Sequence, residues 1–439
     1  MAGTNASTPA ILGGTPAVTL DSREANRWPV LTDEDFAAVR RVMEDGTLTR
    51  HPIAQEFEDD CREYFGVRHA LTHCNGTMAL LAAFFSLDLS PGDEVLVPTG
   101  TFWASVLPML WLGLVPVFCE SEPEQLGLDP ADVEKKITSR SRALVVVHLW
   151  GMPSRMDELK RIAEKHNLRI IEDASHSQGA RFRGQLCGTL GDVAAISLMG
   201  SKLVPAGEGG LLLTNDDALH ERTVCLGDIT RIMKLKSPAK RFAATGFGMK
   251  TRIASLSAAL AQVQLRHLDA RNQKRQDNIL YLSEKLRAYG VETFPGPEHV
   301  ERVYYEFNVA LPEGLPLPKE LLVAALQAEG CEVCLPLFPL LHQQPFFTEG
   351  EFKKILRPDT SMEASLPDFA SDSCPETSRL AKRLIKLPVF PNASRELLDQ
   401  YRQALDKVVH GLQAIGEAAQ TRNLVPDPRV LFAGVDQLL

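Results

Sequence analysis

Residues 143–173, ALVVVHLWGMPSRMDELKRIAEKHNLRIIED, decide the fold. The stretch opens on an apolar run, ALVVVHL (143–149). It continues through an amphipathic helical pattern, MDELKRIAEKHN (156–167), and closes on a second apolar run, LRIIED (168–173). Short β-rich runs separated by one helix describe two parallel strands joined by a helical crossover. The same alternation extends outward. EVLVP (94–98) and VPVFCE (115–120) lie upstream, with helical segments beginning near Gly76 and after Thr101. VAAISL (193–198) and GGLLLTN (209–215) lie downstream. Residues 32–65 carry a helical pattern with Phe36, Val39 and Val42 on one face. The sum predicts an α/β protein with a mostly parallel central sheet and helices on both faces.

Beyond the sheet, a helix is expected from Ser255 to about Leu286, long enough to bridge two domains. VYYEFNVALP (303–312) and CEVCLPLF (331–338) read as strands, with the helix KELLVAALQAEG between them ending at Gly330. A last helix is expected from Ser394 to about Ala418. The organisation read from this is an N-terminal arm (1–30), a large domain (31–275), a smaller α+β domain (276–415) and a polar tail (416–439).

Composition narrows the function classes. The 439 residues are 44% hydrophobic, enough for two well-packed domains. The net charge of -9 and the lack of a long basic run argue against nucleic acid, whose phosphates need clustered cations. The locally basic segment 230–241, TRIMKLKSPAKR, reads as a solvated loop, or else as a contact to an anionic substrate or a neighbouring subunit's cofactor. Eight scattered cysteines, with Cys331 and Cys334 the only CxxC, match neither a zinc spacing nor a disulfide framework, so no metal is expected. They suit a reducing, cytoplasmic setting. No signal peptide is legible, and the apolar stretch 106–117 is too short to span a bilayer.

Three polar groups sit just past strand ends, where ligands gather in such sheets. Asn75-Gly76-Thr77 opens a helix after HALTH; it reads as a phosphate cradle or as a simple helix cap. Glu172-Asp173 ends LRIIED. A carboxylate there calls for a cation, either a protonated pyridine nitrogen or a salt-bridge partner, and His176 lies three residues on. In the run SLMGSKLVPAGEGG (197–210), Lys202 sits in a turn of small residues between two apolar strands, with Ser197 and Ser201 preceding it. A lysine in such a pocket can form a Schiff base, and the serines can bond a phosphate.

The motifs NGTMAL, PTGTFWAS, HLWGMPSRMDELKRIAEKHNLRIIEDASHSQGA and SLMGSKLVPAGEGG occur in that order. With their spacing they resemble the DegT/DnrJ/StrS family of pyridoxal-phosphate-dependent aminotransferases acting on keto sugars and ketocyclitols. The chain resembles in particular the branch aminating scyllo-inosose and deoxy-inosose, and the likeness covers about residues 10–415. The resemblance implies the aspartate aminotransferase fold, called fold type I, with pyridoxal 5'-phosphate as cofactor and a homodimer. It implies that Lys202 holds the cofactor and shuttles the proton, and that Asp173 binds the pyridine nitrogen. It places His176 at the phenolic oxygen, and Gly76, Thr77 and Ser197 at the phosphate. Phe102 would stack on the ring, with Trp103 as the alternative, and Ala174 would press on the opposite face.

The chain departs from the family where an asparagine usually reaches the partner's phosphate. Lys250 stands there, two residues before Arg252, and a lysine can also bind phosphate as a point charge. Ser257 replaces a usual glutamine, and Leu198 a usual aromatic. The implied activity is transfer of an amino group from glutamate or glutamine to a keto sugar or ketocyclitol, in antibiotic or amino-sugar biosynthesis. A dehydratase branch carries histidine in place of the lysine, so Lys202 speaks against it. A non-catalytic regulatory protein on this scaffold would be free to lose Lys202, Asp173 and Thr77. The strands around 303–312 and 331–339 offer Tyr304, Tyr305, Asn308 and, further on, His342. Arg302 is the only arginine near them, which suits a neutral, hydroxyl-rich acceptor better than a 2-oxo acid.

Overall fold

The computed structural model describes residues 7–422 and 424, apart from 337, 365 and 370. Seven strands build the main sheet: β1 (His69–His73), β2 (Glu94–Pro98), β3 (Val115–Cys119), β4 (Ser141–Val147), β5 (Arg169–Asp173), β6 (Val193–Ser197) and β7 (Gly210–Thr214). Their order across the sheet is β1-β7-β6-β5-β4-β2-β3. Every pairing from β6 to β3 is parallel, whereas β7 runs antiparallel to both β6 and β1. The mostly parallel sheet expected from the sequence is therefore present. β4 to β5 is the crossover read from residues 143–173, and its helix Met156–His166 buries Met156, Leu159, Ile162 and Ala163. Asn167, in the left-handed conformation at φ 53°, ends that helix and lets the chain turn into β5.

The sheet's polar edge collects the site. β2, β4, β5 and β6 all finish there, as does β1, while β7 begins there: Gly210 pairs with both His73 and Ser197. One apolar cluster surrounds this sheet and extends to Leu341, Phe347, Phe352, Leu356 and Phe369. A second cluster joins the C-terminal half of helix Leu268–Leu286 to Lys319–Ala328, Arg395–His410 and the antiparallel pair β8 (Phe307–Ala310) and β9 (Leu384–Leu387). The N-terminal arm is tied to this second cluster: Val18 is buried in it, and the N–H groups of Ala10 and Ala17 donate to Glu329 at 2.7 and 2.9 Å.

Several elements differ from the sequence expectation. The long helix breaks at His267 into Ser255–Arg266 and Leu268–Leu286. The described residues of CEVCLPLF form no strand: among them only Cys334 bridges to Lys386, and Pro336 and Pro339 cannot donate to a ladder. After Thr101 there is only a 3-10 turn (Trp103–Ser105) and a four-residue helix (Leu107–Leu110). The terminal helix ends at His410, and a further helix, Leu412–Thr421, runs into the expected tail with Ile415 buried. The rest of that tail, save residues 422 and 424, lies outside the described residues. Among the described residues, no helix is long and apolar enough to cross a membrane.

Candidate active site

Asp173 occupies the last position of β5 and is buried. Its Oδ2 accepts from Ser105 Oγ at 2.7 Å, and its Oδ1 from the Ser175 N–H at 3.1 Å. Among the described residues, no Lys, Arg or His forms an ion pair with it. Its neighbour Glu172 points to the opposite side, as alternation along a strand requires. Glu172 accepts from His148 Nε2 at 2.8 Å and from the N–H groups of Gly188, Leu190 and Gly191. Burial alone would raise the Glu172 carboxyl, but His148 and those N–H groups hold it below the ordinary range. Of the two carboxylates at this strand tip, Glu172 is fully satisfied by protein groups, and Asp173 is the one left for a cationic ligand.

Lys202 is buried in the turn after β6 and likewise has no carboxylate partner among the described residues. Its Nζ lies 4.0 Å from the centroid of the Tyr305 ring. The turn is held from three directions. The Lys202 N–H donates to Met199 at 2.8 Å, and Trp28 Nε1 donates to the Lys202 carbonyl at 3.0 Å. Gln178, buried, donates through Nε2 to Ser197 O at 2.8 Å and accepts from the Val204 N–H at 2.8 Å.

His176 stacks on Tyr305, the ring centroids 4.3 Å apart, and lies parallel to Phe338 at 5.7 Å. Burial, then the charges of Lys202 and Lys386, hold His176 well below the usual histidine range. Its ring is therefore neutral. Nδ1 accepts from the Trp150 N–H at 3.3 Å, aimed there by Trp150's left-handed backbone at φ 53°. The proton then sits on Nε2, which is free to donate to an oxygen of a ligand.

At the other end of the site, Gly76 starts the helix Gly76–Ser86, with Asn75 Oδ1 capping the Met78 N–H at 2.9 Å. A Cβ on Gly76 would fall 2.6 Å from the Ser197 Cβ, so only glycine lets this helix start against the β6 end. Gly210 similarly admits the Asn75 carbonyl, which a Cβ would meet at 2.2 Å. Gly76 and Ser197 are thus brought into contact, with Thr77 partly exposed beside them. The helix cap is present, with Asn75 as the capping residue, and the N–H groups at this helix start that have no intrahelical partner are available to a ligand.

Phe102 and Trp103 are both partly open to solvent. Phe102 is the one that joins the aromatic wall, through Phe338 at 5.7 Å, while Trp103 touches only Phe102 among the described rings. Ala174 does not fit the face-contact role expected for it. It has no exposed surface, and its methyl lies toward Gly188, beside Ile196 and Leu213. Ser175, the next residue, is on Asp173's side, and its Oγ accepts from the Ser197 N–H at 2.9 Å. Lys250 is exposed. The adjacent Thr251 is anchored to the β1 end, its Oγ1 2.9 Å from His73 Nδ1 and its carbonyl bonded to the Cys74 N–H.

Of the residues expected to meet the acceptor, only Tyr305 reaches the site; its hydroxyl lies 3.2 Å from Ser201 Oγ. Tyr304 is buried in the second core, Asn308 is fully buried, and His342 is held by Thr99 and Asp372. Ser105, Gln178, Trp28 and Phe338 were not legible as site residues. Ser105 does fall inside the PTGTFWAS motif, as its last residue, seven positions after Pro98 at the end of β2.

A buried lysine and a buried carboxylate, neither neutralised by the protein, face one sheet edge beside a glycine-permitted helix start. That donor set fits an aldehyde, a pyridine nitrogen and a phosphate on one small molecule. With the sheet topology, it defines a pyridoxal-phosphate-dependent transferase of fold type I. The chain belongs to the DegT/DnrJ/EryC1/StrS aminotransferase family, whose pattern matches residues 29–406. It is 35% identical over 294 residues to a GDP-perosamine synthase of Caulobacter vibrioides, covering 66% of this chain and 77% of that protein. It is 34% identical over 331 residues to an L-glutamine:2-deoxy-scyllo-inosose aminotransferase of Streptomyces lividus, covering 71% and 78%. An aminotransferase structure from Psychrobacter cryohalolentis superposes with a TM-score of 0.77 at 25% identity, covering 88% of this chain and 99% of that one. The chain is therefore an aminotransferase of a sugar and cyclitol family.

Proposed function

We propose that this aminotransferase moves an amino group from L-glutamine or L-glutamate to a ketone on a hydroxyl-rich ring, a ketocyclitol or keto sugar, in the cytoplasm. The product would feed antibiotic or amino-sugar biosynthesis. The observation that carries this reading is the fate of Arg302. Its guanidinium is buried over the Tyr304 ring at 4.3 Å, with Nη1 donating to the carbonyls of Phe294 at 2.5 Å and Thr293 at 3.3 Å. It offers no fork to a 2-oxo acid carboxylate, while the wall that faces Lys202 is the phenol of Tyr305 beside Ser201. The similarity to an aminocyclitol-forming relative supports the same acceptor class.

Bound pyridoxal phosphate supplies an electron sink that makes a C–H of the attached amino acid acidic. Each protein group then has a stated task. Lys202 Nζ would hold the cofactor at rest and would move the proton between the donor's α-carbon and the acceptor side. Asp173, kept in place by Ser105, holds the pyridine nitrogen protonated. His176 Nε2 donates to the phenolic oxygen. Gly76, Thr77 and Ser197 bind the phosphate, and Phe102 covers the ring.

The site is proposed to be completed in a homodimer, with Lys250 crossing to the partner's phosphate. The helix Asp33–Glu44 and its flanks leave Leu31, Phe36, Met43 and Leu48 exposed, an apolar face that a second copy would cover. The test is a comparison of acceptors with glutamine and glutamate as donors. Scyllo-inosose, 2-deoxy-scyllo-inosose or a nucleotide-linked keto sugar should be aminated more efficiently than pyruvate and oxaloacetate. The reverse order would make this a general amino-acid transaminase.

A further inference from the structure

The small antiparallel sheet carries an ion pair that the reaction described above does not use. Lys386 in β9 lies directly across from Asn308 in β8. Its Nζ donates to Glu306 Oε1 at 2.9 Å, and Asn308 Nδ2 donates to Glu306 Oε2 at 2.9 Å. Glu306 is buried, whereas the Lys386 side chain keeps 27% of its surface open. Glu306 follows Tyr305, whose ring is sandwiched against His176 below Lys202 Nζ. Cys334 bridges to Lys386 four residues before Phe338, which stacks on His176, so the ion pair lies where the two segments that carry the aromatic wall, 305–306 and 334–338, meet.

We propose that Glu306 and Lys386 together read a hydroxyl of the acceptor ring, deepening the ketocyclitol and keto-sugar reading on which this assignment rests. An ammonium has three donors, and Glu306 takes one. Each Glu306 oxygen has lone pairs beyond the single hydrogen bond it now accepts. A ring hydroxyl can accept from Lys386 and donate to Glu306 at once. A carboxylate can do only the first, and Glu306 repels it. The pair is charge-compensated, so it favours a neutral polyol over an anionic 2-oxo acid. This selectivity adds to that left by Arg302.

The two half-reactions of the holoenzyme separate the alternatives, each followed by the loss and return of the cofactor's absorption. The probes are L-glutamine, 2-deoxy-scyllo-inosose and pyruvate. Lys386→Met should raise the half-saturating concentration of 2-deoxy-scyllo-inosose about tenfold, the effect of one charged hydrogen bond, and move that of L-glutamine less than about twofold. Lys386→Arg should retain most of the ketocyclitol affinity. Glu306→Gln, which leaves the cation uncompensated, should improve pyruvate as it weakens the ketocyclitol. If Lys386→Met weakens L-glutamine as much as the ketocyclitol, the cation grips the donor's carboxylate and the proposal fails. If neither substrate shifts in a variant that melts like the wild type, the pair is structural and the proposal fails. A wild-type enzyme that aminates pyruvate but no keto ring overturns the acceptor class itself, and the hydroxyl-reading role with it.

Discussion

The indole Nε1 of Trp28 donates to the main-chain carbonyl of Lys202 at 3.0 Å, across 174 residues of sequence. The indole is itself packed under Arg275, whose guanidinium carbon lies 3.7 Å from the ring centroid. Arg275 is buried with no carboxylate partner among the described residues, and burial, then Arg271, brings its pKa down to about 9. Arg271 and Gln264 both bond the Val30 carbonyl, fixing the same strap. The arm thus fastens the backbone of the lysine turn. Trp28→Phe keeps the stacking and removes the donor. It should release the cofactor roughly 3- to 10-fold faster, the worth of one hydrogen bond of about 0.5–1.5 kcal/mol. The decay of cofactor absorbance in an excess of buffer reads this directly, and an unchanged decay rate would mean the bond does not restrain the turn.

Borohydride treatment of the purified holoenzyme should fix the cofactor covalently, and peptide mapping should place it on Lys202. Lys202→Ala should lose all turnover while still binding cofactor. An adduct on any other lysine would remove Lys202 from the centre of the site.

Ser105 donates to the Asp173 oxygen across 68 residues. Ser105→Ala leaves that oxygen without its donor, and hydrogen bonds to charged groups contribute roughly 1.5–3 kcal/mol. The turnover rate should fall about 10- to 100-fold at unchanged melting temperature, and Asp173→Asn should lose more. A Ser105→Ala enzyme of full activity would show that Asp173 needs no such orientation.

Stability should fall on mild acidification because of buried neutral histidines. Burial, then Arg231, pushes His73 down to about 3, and His176 is also held well below its ordinary 6.5. In the unfolded chain both take a proton near 6.5; in the fold they do not. Their contribution is therefore complete above that pH and is lost as pH falls toward the folded values. His73→Asn, which cannot titrate, should shrink the stability difference between pH 7 and pH 5 by about 2 kcal/mol. Urea unfolding at the two pH values measures it; equal differences in variant and parent would mean that His73 protonates in the fold.

If Lys250 serves the partner's site, mixing Lys202→Ala chains with Lys250→Ala chains should restore activity. Both lesions then fall in one site of the mixed dimer and leave the other intact. Heterodimers that form and stay inactive would assign Lys250 to its own chain.

The sequence by itself determined the strand–helix alternation from Glu94 to Thr214, the position of Asp173 at a strand tip and the lysine turn after Ser197. These are local facts, carried by periodicity and by small residues within a few positions. It could not tell which of two adjacent residues faces the ligand. Tyr305 lines the site and Tyr304 the second core, and Ala174 packs toward Gly188 while Ser175 turns to the side of Asp173. Neighbouring side chains point to opposite sides, and one step of register reverses the assignment. Nor could it pair Trp28 with Lys202, Ser105 with Asp173 or Glu306 with Lys386. Those contacts arise only when separate strands and helices pack against one another, and no local pattern records which partner packing will supply. Tertiary structure alone decided that Arg302 turns away and that Glu306 and Lys386 stand beside the wall.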